Sequence, residues 1–156
     1  MRALRETRVR IDIAATPMDV YRCLLDPKAV AVWKVPDDMI CQIHCFEPRE
    51  GGRYRISLTH AAPDAVGKTD ARTDTYHGEF VRLVPGEEVV ERIAFETSDP
   101  SLTGWMTAVY ALRPSATGTE LLAIHGDVPP GVPLQDNEAG WQLALAKLAA
   151  LAESPG

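Results

Sequence analysis

The sequence has no basic block. Its 16 Lys and Arg are outnumbered by 22 Asp and Glu, for a formal net charge of −6, and without clustered cations a chain cannot track a phosphate backbone or hold to an anionic membrane surface. Neither nucleic acid nor membrane is expected as a partner. Long apolar runs are missing too. The longest uncharged stretch, Pro100 to Leu112, is too short and too polar for a bilayer that needs about 20 apolar residues, and Met1 to Arg5 lead into no apolar signal core. The expected location is therefore cytoplasmic. Cysteine is scarce and odd in number (Cys23, Cys41, Cys45), which excludes a complete disulfide framework and fits reduced thiols. There is no Gly-x-Ser-x-Gly elbow, phosphate-binding glycine loop or dinucleotide fingerprint, so hydrolase, nucleotide and hydride-transfer readings lack residues, and no cofactor is expected.

No internal repeat or linker interrupts the 156 residues, and this length suits one domain over 1–156. A chain of this size buries roughly 70 % of its surface, enough to enclose a small cavity. Residues 8 to 13 alternate polar and apolar as a half-buried strand does. Thr16-Pro17 and Asp26-Pro27 each pair a capping side chain with a proline at the first helical position, predicting short helices over Pro17 to Leu25 and from Pro27 to Trp33. From Met39 to Val128 short β-branched and aromatic runs alternate with turn chemistry. Six strands are expected: Met39 to Glu47, Arg53 to His60, Thr73 to Val84, Glu88 to Glu96, Trp105 to Arg113 and Thr119 to Gly126. The polar stretch Ala61 to Arg72 is the longest loop candidate. From Asp136 to Glu153 an alanine-rich segment repeats Trp141, Leu145, Leu148 and Ala152 at helical spacing.

This order predicts an α+β fold in which one amphipathic helix covers only part of one face of a seven-stranded antiparallel sheet. Charges mark the wet side of each strand, so the inward set follows by alternation. Tyr54, Ile56, Leu58 and His60 point in from one strand, Met106, Ala108, Tyr110 and Leu112 from another, and Leu121, Ala123 and His125 from the last. Residues 88 to 96 carry a charge on either face, so the parity there stays open between Glu91 inside and Arg92 inside.

The helix start after Ala15-Thr16-Pro17 with Val20-Tyr21, Asp26-Pro27 leading to Trp33, Glu47-Pro48-Arg49-Glu50-Gly51-Gly52-Arg53-Tyr54, Gly78-Glu79-Phe80, Gly118-Thr119-Glu120-Leu121 with His125-Gly126, and Gly140-Trp141 occur in an ordered series. This series resembles the START-like (SRPBCC) superfamily, and within it the branch related to activators of the ninety-kilodalton heat-shock protein ATPase. The resemblance covers roughly residues 8 to 152. It implies a helix-grip fold, in which a curved sheet wraps a long C-terminal helix, with two short helices between the first and second strands, and encloses a cavity near those helices. It also implies ligands such as lipids, polyketides, hormones or other apolar molecules, enzymatic activity in some members, and for this branch contact with a chaperone.

The expected function is binding of a small, largely apolar molecule between sheet and long helix, the site drawn from Trp33, Tyr54, Ile56, Leu58, Met106, Ala108, Tyr110, Leu121, Ala123, His125, Trp141 and Leu145. Each of these residues also has an ordinary reading as core. The alternatives are a polyketide cyclase or dehydratase-like enzyme and a chaperone ATPase regulator. For the enzyme, His125 is the candidate acid or base, with Tyr110 or Glu91 beside it. Cys41, His44 and Cys45 invite a metal reading, but the spacing fits no zinc motif and no metal is expected. Glu47 and Arg49 read as a pin for the Gly-Gly turn, or Arg49 as a holder of an acidic ligand group at the cavity mouth. Val109 and Ala111 on the outer sheet face could serve a homodimer.

Overall fold

Thr16 Oγ1 accepts the amide of Asp19 at 3.2 Å and Asp26 Oδ1 that of Lys28 at 3.0 Å, so both short helices start where their caps and prolines dictate. In the computed structural model, which describes residues 5–60 and 73–154, the elements are β1 (Thr7–Ile13), α1 (Pro17–Leu25), α2 (Pro27–Trp33), β2 (Met39–Phe46), β3 (Arg53–His60), β4 (Thr73–Val84), β5 (Glu88–Phe95), β6 (Met106–Ser115), β7 (Gly118–Gly126) and α3 (Leu134–Glu153). The expected loop Ala61 to Arg72 lies outside the described residues. The long helix begins at Leu134, two residues before the first residue expected from the sequence. Its N-cap is Pro133, which has no side-chain acceptor to offer, so the usual capping signal is missing from the chain at that point.

The strands form one curved antiparallel sheet in the order β1-β7-β6-β5-β4-β3-β2, with α3 on its concave face. The α1–α2 segment carries the chain from one edge of the sheet to the other. Leu145 and Leu148, fully buried at 0 % exposure, fix the C-terminal half of α3 over the core with Ile13, Val20 and Leu121. Burial of a side chain of this size stabilises by about 1.5–3 kcal/mol.

Burial in the folded chain resolves the parity of β5, which alternation left open. Val89, Glu91 and Ile93 face the core, Glu91 at 4 % exposure, while Arg92 stands outside against Glu79 and the Trp105 ring. A buried charge therefore interrupts the apolar face. In β2 a bulge between Ile43 and Cys45 breaks simple alternation. Cys41 is half-buried on the core side, whereas Cys45 pairs with Arg55 and is exposed, on the same side as His44, whose Nε2 meets Ser57 Oγ at 2.8 Å. The two thiols, which strict period two would place together, are thus on opposite faces. Among the described residues no group of three His, Cys, Asp or Glu could hold a metal ion, and no helix is long and apolar enough to cross a membrane.

The Glu47–Gly52 loop pins the sheet end that lies away from α3's N-terminus. Glu47 Oε1 accepts the Arg53 amide at 3.0 Å, Gly51 N–H donates to the Phe80 carbonyl and Phe80 N–H to that of Gly52. Arg49 sits in this exposed turn, 3.4 Å from Glu47, and not at a cavity mouth, because the turns after β2, β4 and β6 all lie at the same end.

Candidate functional site

At the opposite end the first turns of α3 leave a gap against the strands. The gap is a cavity of about 610 Å³, walled by Met39 of β2, Leu58 and His60 of β3, Asp74 and Tyr76 of β4, Ile93 and Phe95 of β5, Met106 of β6 and His125 of β7. Asn137, Gly140, Trp141 and Ala144 of α3 close it from above, and Lys34, Pro36, Asp38 and the Gly131–Pro133 loop form its rim. Arg5 fixes this rim. Its guanidinium donates to the carbonyls of Val128, at 3.0 Å, and of Pro129 and Val132, while the Val128 amide returns a bond to the Arg5 carbonyl.

The structure divides the twelve residues selected from the sequence. Leu58, Met106, His125 and Trp141 line the cavity. Trp33, Tyr54, Ile56 and Tyr110 surround instead a void of about 10 Å³, room for one water at most, and are 2 % exposed or less. Ala108, Leu121, Ala123 and Leu145 pack in the interior at 4 % exposure or less. The reason is distance from α3's first turns. Inward side chains near the pinned end meet α1, α2 or the helix's C-terminal half, and only those near the other end face the gap. Lys34, Tyr76, Asn137 and Phe95 escaped the sequence reading. Tyr76 was accessible to it, since Tyr76, Gly78 and Phe80 alternate with the outward His77 and Glu79. Lys34 was not, because it follows the last turn of α2 and its direction depends on Glu91.

Lys34 Nζ binds Glu91 Oε1 at 3.1 Å, with both side chains largely buried. The ammonium lies 5.1 Å from the Tyr54 ring centre, 5.5 Å from that of Tyr76 and 5.9 Å from that of Trp33, a set of π faces suited to a desolvated cation. Tyr110 Oη donates to Glu91 Oε1 at 3.4 Å. Burial first, and the Glu91 carboxylate second, push the phenols of Tyr54, Tyr76 and Tyr110 upward, which keeps them neutral donors. Lys34 borders both the small void and the cavity and so forms the partition between them.

His125 is a second polar group of the wall with a defined hydrogen-bond set. Trp141 Nε1 donates to its Nδ1 at 3.0 Å, and the Asn137 side chain lies 3.1 Å from the same atom through Nδ2. An indole N–H can only donate, so Nδ1 accepts and the single ring proton is on Nε2. Burial, joined by the Lys34 ammonium, outweighs the opposing Asn137 side chain and lowers the His125 pKa to about 4. The imidazole is thus neutral at pH 7. The ring stacks edge-on with Trp141 at 5.5 Å, and Trp141 with Tyr110 at 5.7 Å. The hydrogen-bonded partners of His125 are Asn137 and Trp141, and those of Glu91 are Lys34 and Tyr110, so the acid–base pair imagined from the sequence is two separate clusters.

A family model described as Activator of Hsp90 ATPase homolog 1-like protein matches residues 14–153. The chain is similar to protein CV1439 from Chromobacterium violaceum, with 30 % identity, a TM-score of 0.85, and coverage of 96 % of this chain and 98 % of that one. The AHSA1-like protein from Aeromonas hydrophila shares the fold at 15 % identity and a TM-score of 0.71, over 96 % and 92 % of the two chains. DynU16, a protein of the dynemicin biosynthetic locus, shares it at 20 % identity and a TM-score of 0.65. There the match covers 96 % of this chain and 47 % of DynU16, so this chain spans about half of that protein. No curated protein matches the chain significantly.

Proposed function

The chain belongs to the family of Activator of Hsp90 ATPase homolog 1-like proteins, and from that premise we propose that it binds a small, largely apolar molecule in the cavity beneath the first turns of α3. The observation that carries this reading is the cavity itself. Its volume of about 610 Å³ falls within the roughly 300–1,000 Å³ of ligand sites, and its wall combines apolar side chains with a few polar ones, as such sites do. Leu58, Ile93, Met106, Trp141 and Ala144 offer the apolar surface, while Lys34, Tyr76 and His125 are among its polar lining.

Native mass spectrometry of the purified protein and titration with 1-anilinonaphthalene-8-sulfonate test the reading. Saturable dye binding that Ala144→Trp abolishes, with the unfolding transition unchanged, supports it. Absence of both adducts and dye enhancement overturns it. A proton-transfer enzyme centred on His125 has less behind it, because Nδ1 is already hydrogen-bonded and the neutral ring offers only a donor. Contact with a chaperone ATPase rests on the family description alone.

A further inference from the structure

We propose that β2 is a self-pairing edge, along which two copies of this chain associate antiparallel about a two-fold axis. The sheet ends in β1 on one side and β2 on the other, and an end strand turns a row of backbone N–H and C=O groups away from its neighbour. The two ends differ in chemistry. β1 carries Arg8, Arg10 and Asp12 among its seven residues, and such charges oppose the approach of another strand. β2 reads Met-Ile-Cys-Gln-Ile-His-Cys-Phe, eight residues without Lys, Arg, Asp, Glu, Pro or Gly. Its Ile40 is 66 % exposed, and among the described residues no strand pairs with its free side. One edge of the sheet is guarded and the other is open to addition.

Charge and symmetry name a second copy as the strand that adds. The bulge between Ile43 and Cys45 leaves Met39 to Ile43 as the regular stretch of β2. A second copy uses the whole stretch when the axis passes at Cys41, so that Met39 of one faces Ile43 of the other and Ile40 faces Gln42. This register brings the exposed Asp38 of one copy level with the exposed His44 of the other, and Asp37 level with Cys45, whose neighbour on β3 is Arg55. Acidic groups thus meet basic ones at both ends of the pairing. Addition of β2 to β1 of another copy would instead set uncharged positions against Arg8, Arg10 and Asp12 and leave a free edge for further growth, whereas the two-fold arrangement closes. So short a pairing falls well below the roughly 20–30 residues a side of a stable interface, and the dimer is correspondingly weak, with a Kd on the order of 100 µM.

The test is backbone-amide NMR of the full chain on dilution from about 1 mM to about 20 µM, a range that spans the expected equilibrium. The amides of residues 39–43 should shift along a monomer–dimer curve, while those of Val109 and Ala111 on the outer sheet face stay fixed, and sedimentation equilibrium should return the dimer mass at the upper end. Ile40→Lys places a charge on the open edge at a side chain that is mostly in solvent. It should abolish both the shifts and the dimer with the unfolding transition unchanged. Spectra independent of concentration, shifts confined to Val109 and Ala111, or a dimer that survives Ile40→Lys each overturn the proposal. Growth beyond the dimer overturns the two-fold closure, and a native mass spectrum with an unrelated peptide on the chain in place of a second copy overturns the choice of occupant.

Discussion

His125 shows how a single proton's position is set by residues far along the chain. The indole of Trp141, on another element, decides which nitrogen accepts, and burial decides that the ring stays neutral to about pH 4. An unfolded histidine titrates near 6.5. Between these values the unfolded chain takes up a proton that the folded chain refuses, so stability falls as pH drops through the window, by about 2–3 kcal/mol from pH 7 to 4.5. Urea unfolding at the two pH values should show this loss, and His125→Phe should lack that share of it. An identical loss in the variant shows that the folded ring protonates freely. Lys34 and Glu91 make the complementary case of a charge that is tolerable only when paired. Lys34→Met leaves the carboxylate buried alone and should cost about 3–5 kcal/mol, whereas Lys34→Met with Glu91→Leu should recover most of it. The sequence showed that residues 88–96 place a charge inside but not which one. Only the position of Lys34, 57 residues earlier, settles it in favour of Glu91.

Among the elements, those governed by local chemistry were legible in advance. Thr16-Pro17 and Asp26-Pro27 locate α1 and α2 to the residue, and turn signals locate β3 and β4 equally well. What local pattern cannot encode is where one element stands off from another. The gap beneath α3's first turns depends on the uncapped start at Leu134 and on the Arg5-held rim, so the inward residues divided into core and cavity wall only in the assembled fold. Two glycines make the contrast measurable. A Cβ at Gly78 would strike the ring of Tyr54, which is 2 % exposed and has no room to yield. Gly78→Ala should therefore destabilise by about 1–3 kcal/mol through overpacking. Gly140, inside α3 with nothing within 4 Å of a built Cβ, should instead gain about 0.5–1 kcal/mol as alanine. Thermal unfolding of the pair distinguishes packing from helix propensity, and a destabilised Gly140→Ala would contradict the open space at this position.

For the molecule as a whole, the interior is divided along the sheet. The pinned end is solid, with Trp33, Tyr54, Phe80 and Tyr110 each 2 % exposed or less around a void of about 10 Å³. The other end holds the cavity of about 610 Å³. α3 bridges both regimes, for its C-terminal half buries Leu145, Leu148 and Ala149 while its first two turns have only half-buried Leu134, Asn137 and Trp141. Local stability follows buried apolar contact, so the helix should open from its N-terminal end without global unfolding. Hydrogen exchange should find the amides of residues 138–142 less protected than those of 145–150, and a bound ligand should raise protection in the first group far more than in the second. Uniform protection along α3 without ligand would mean that the helix is held at both ends alike, and the hollow would then be a rigid void that no occupant is needed to support.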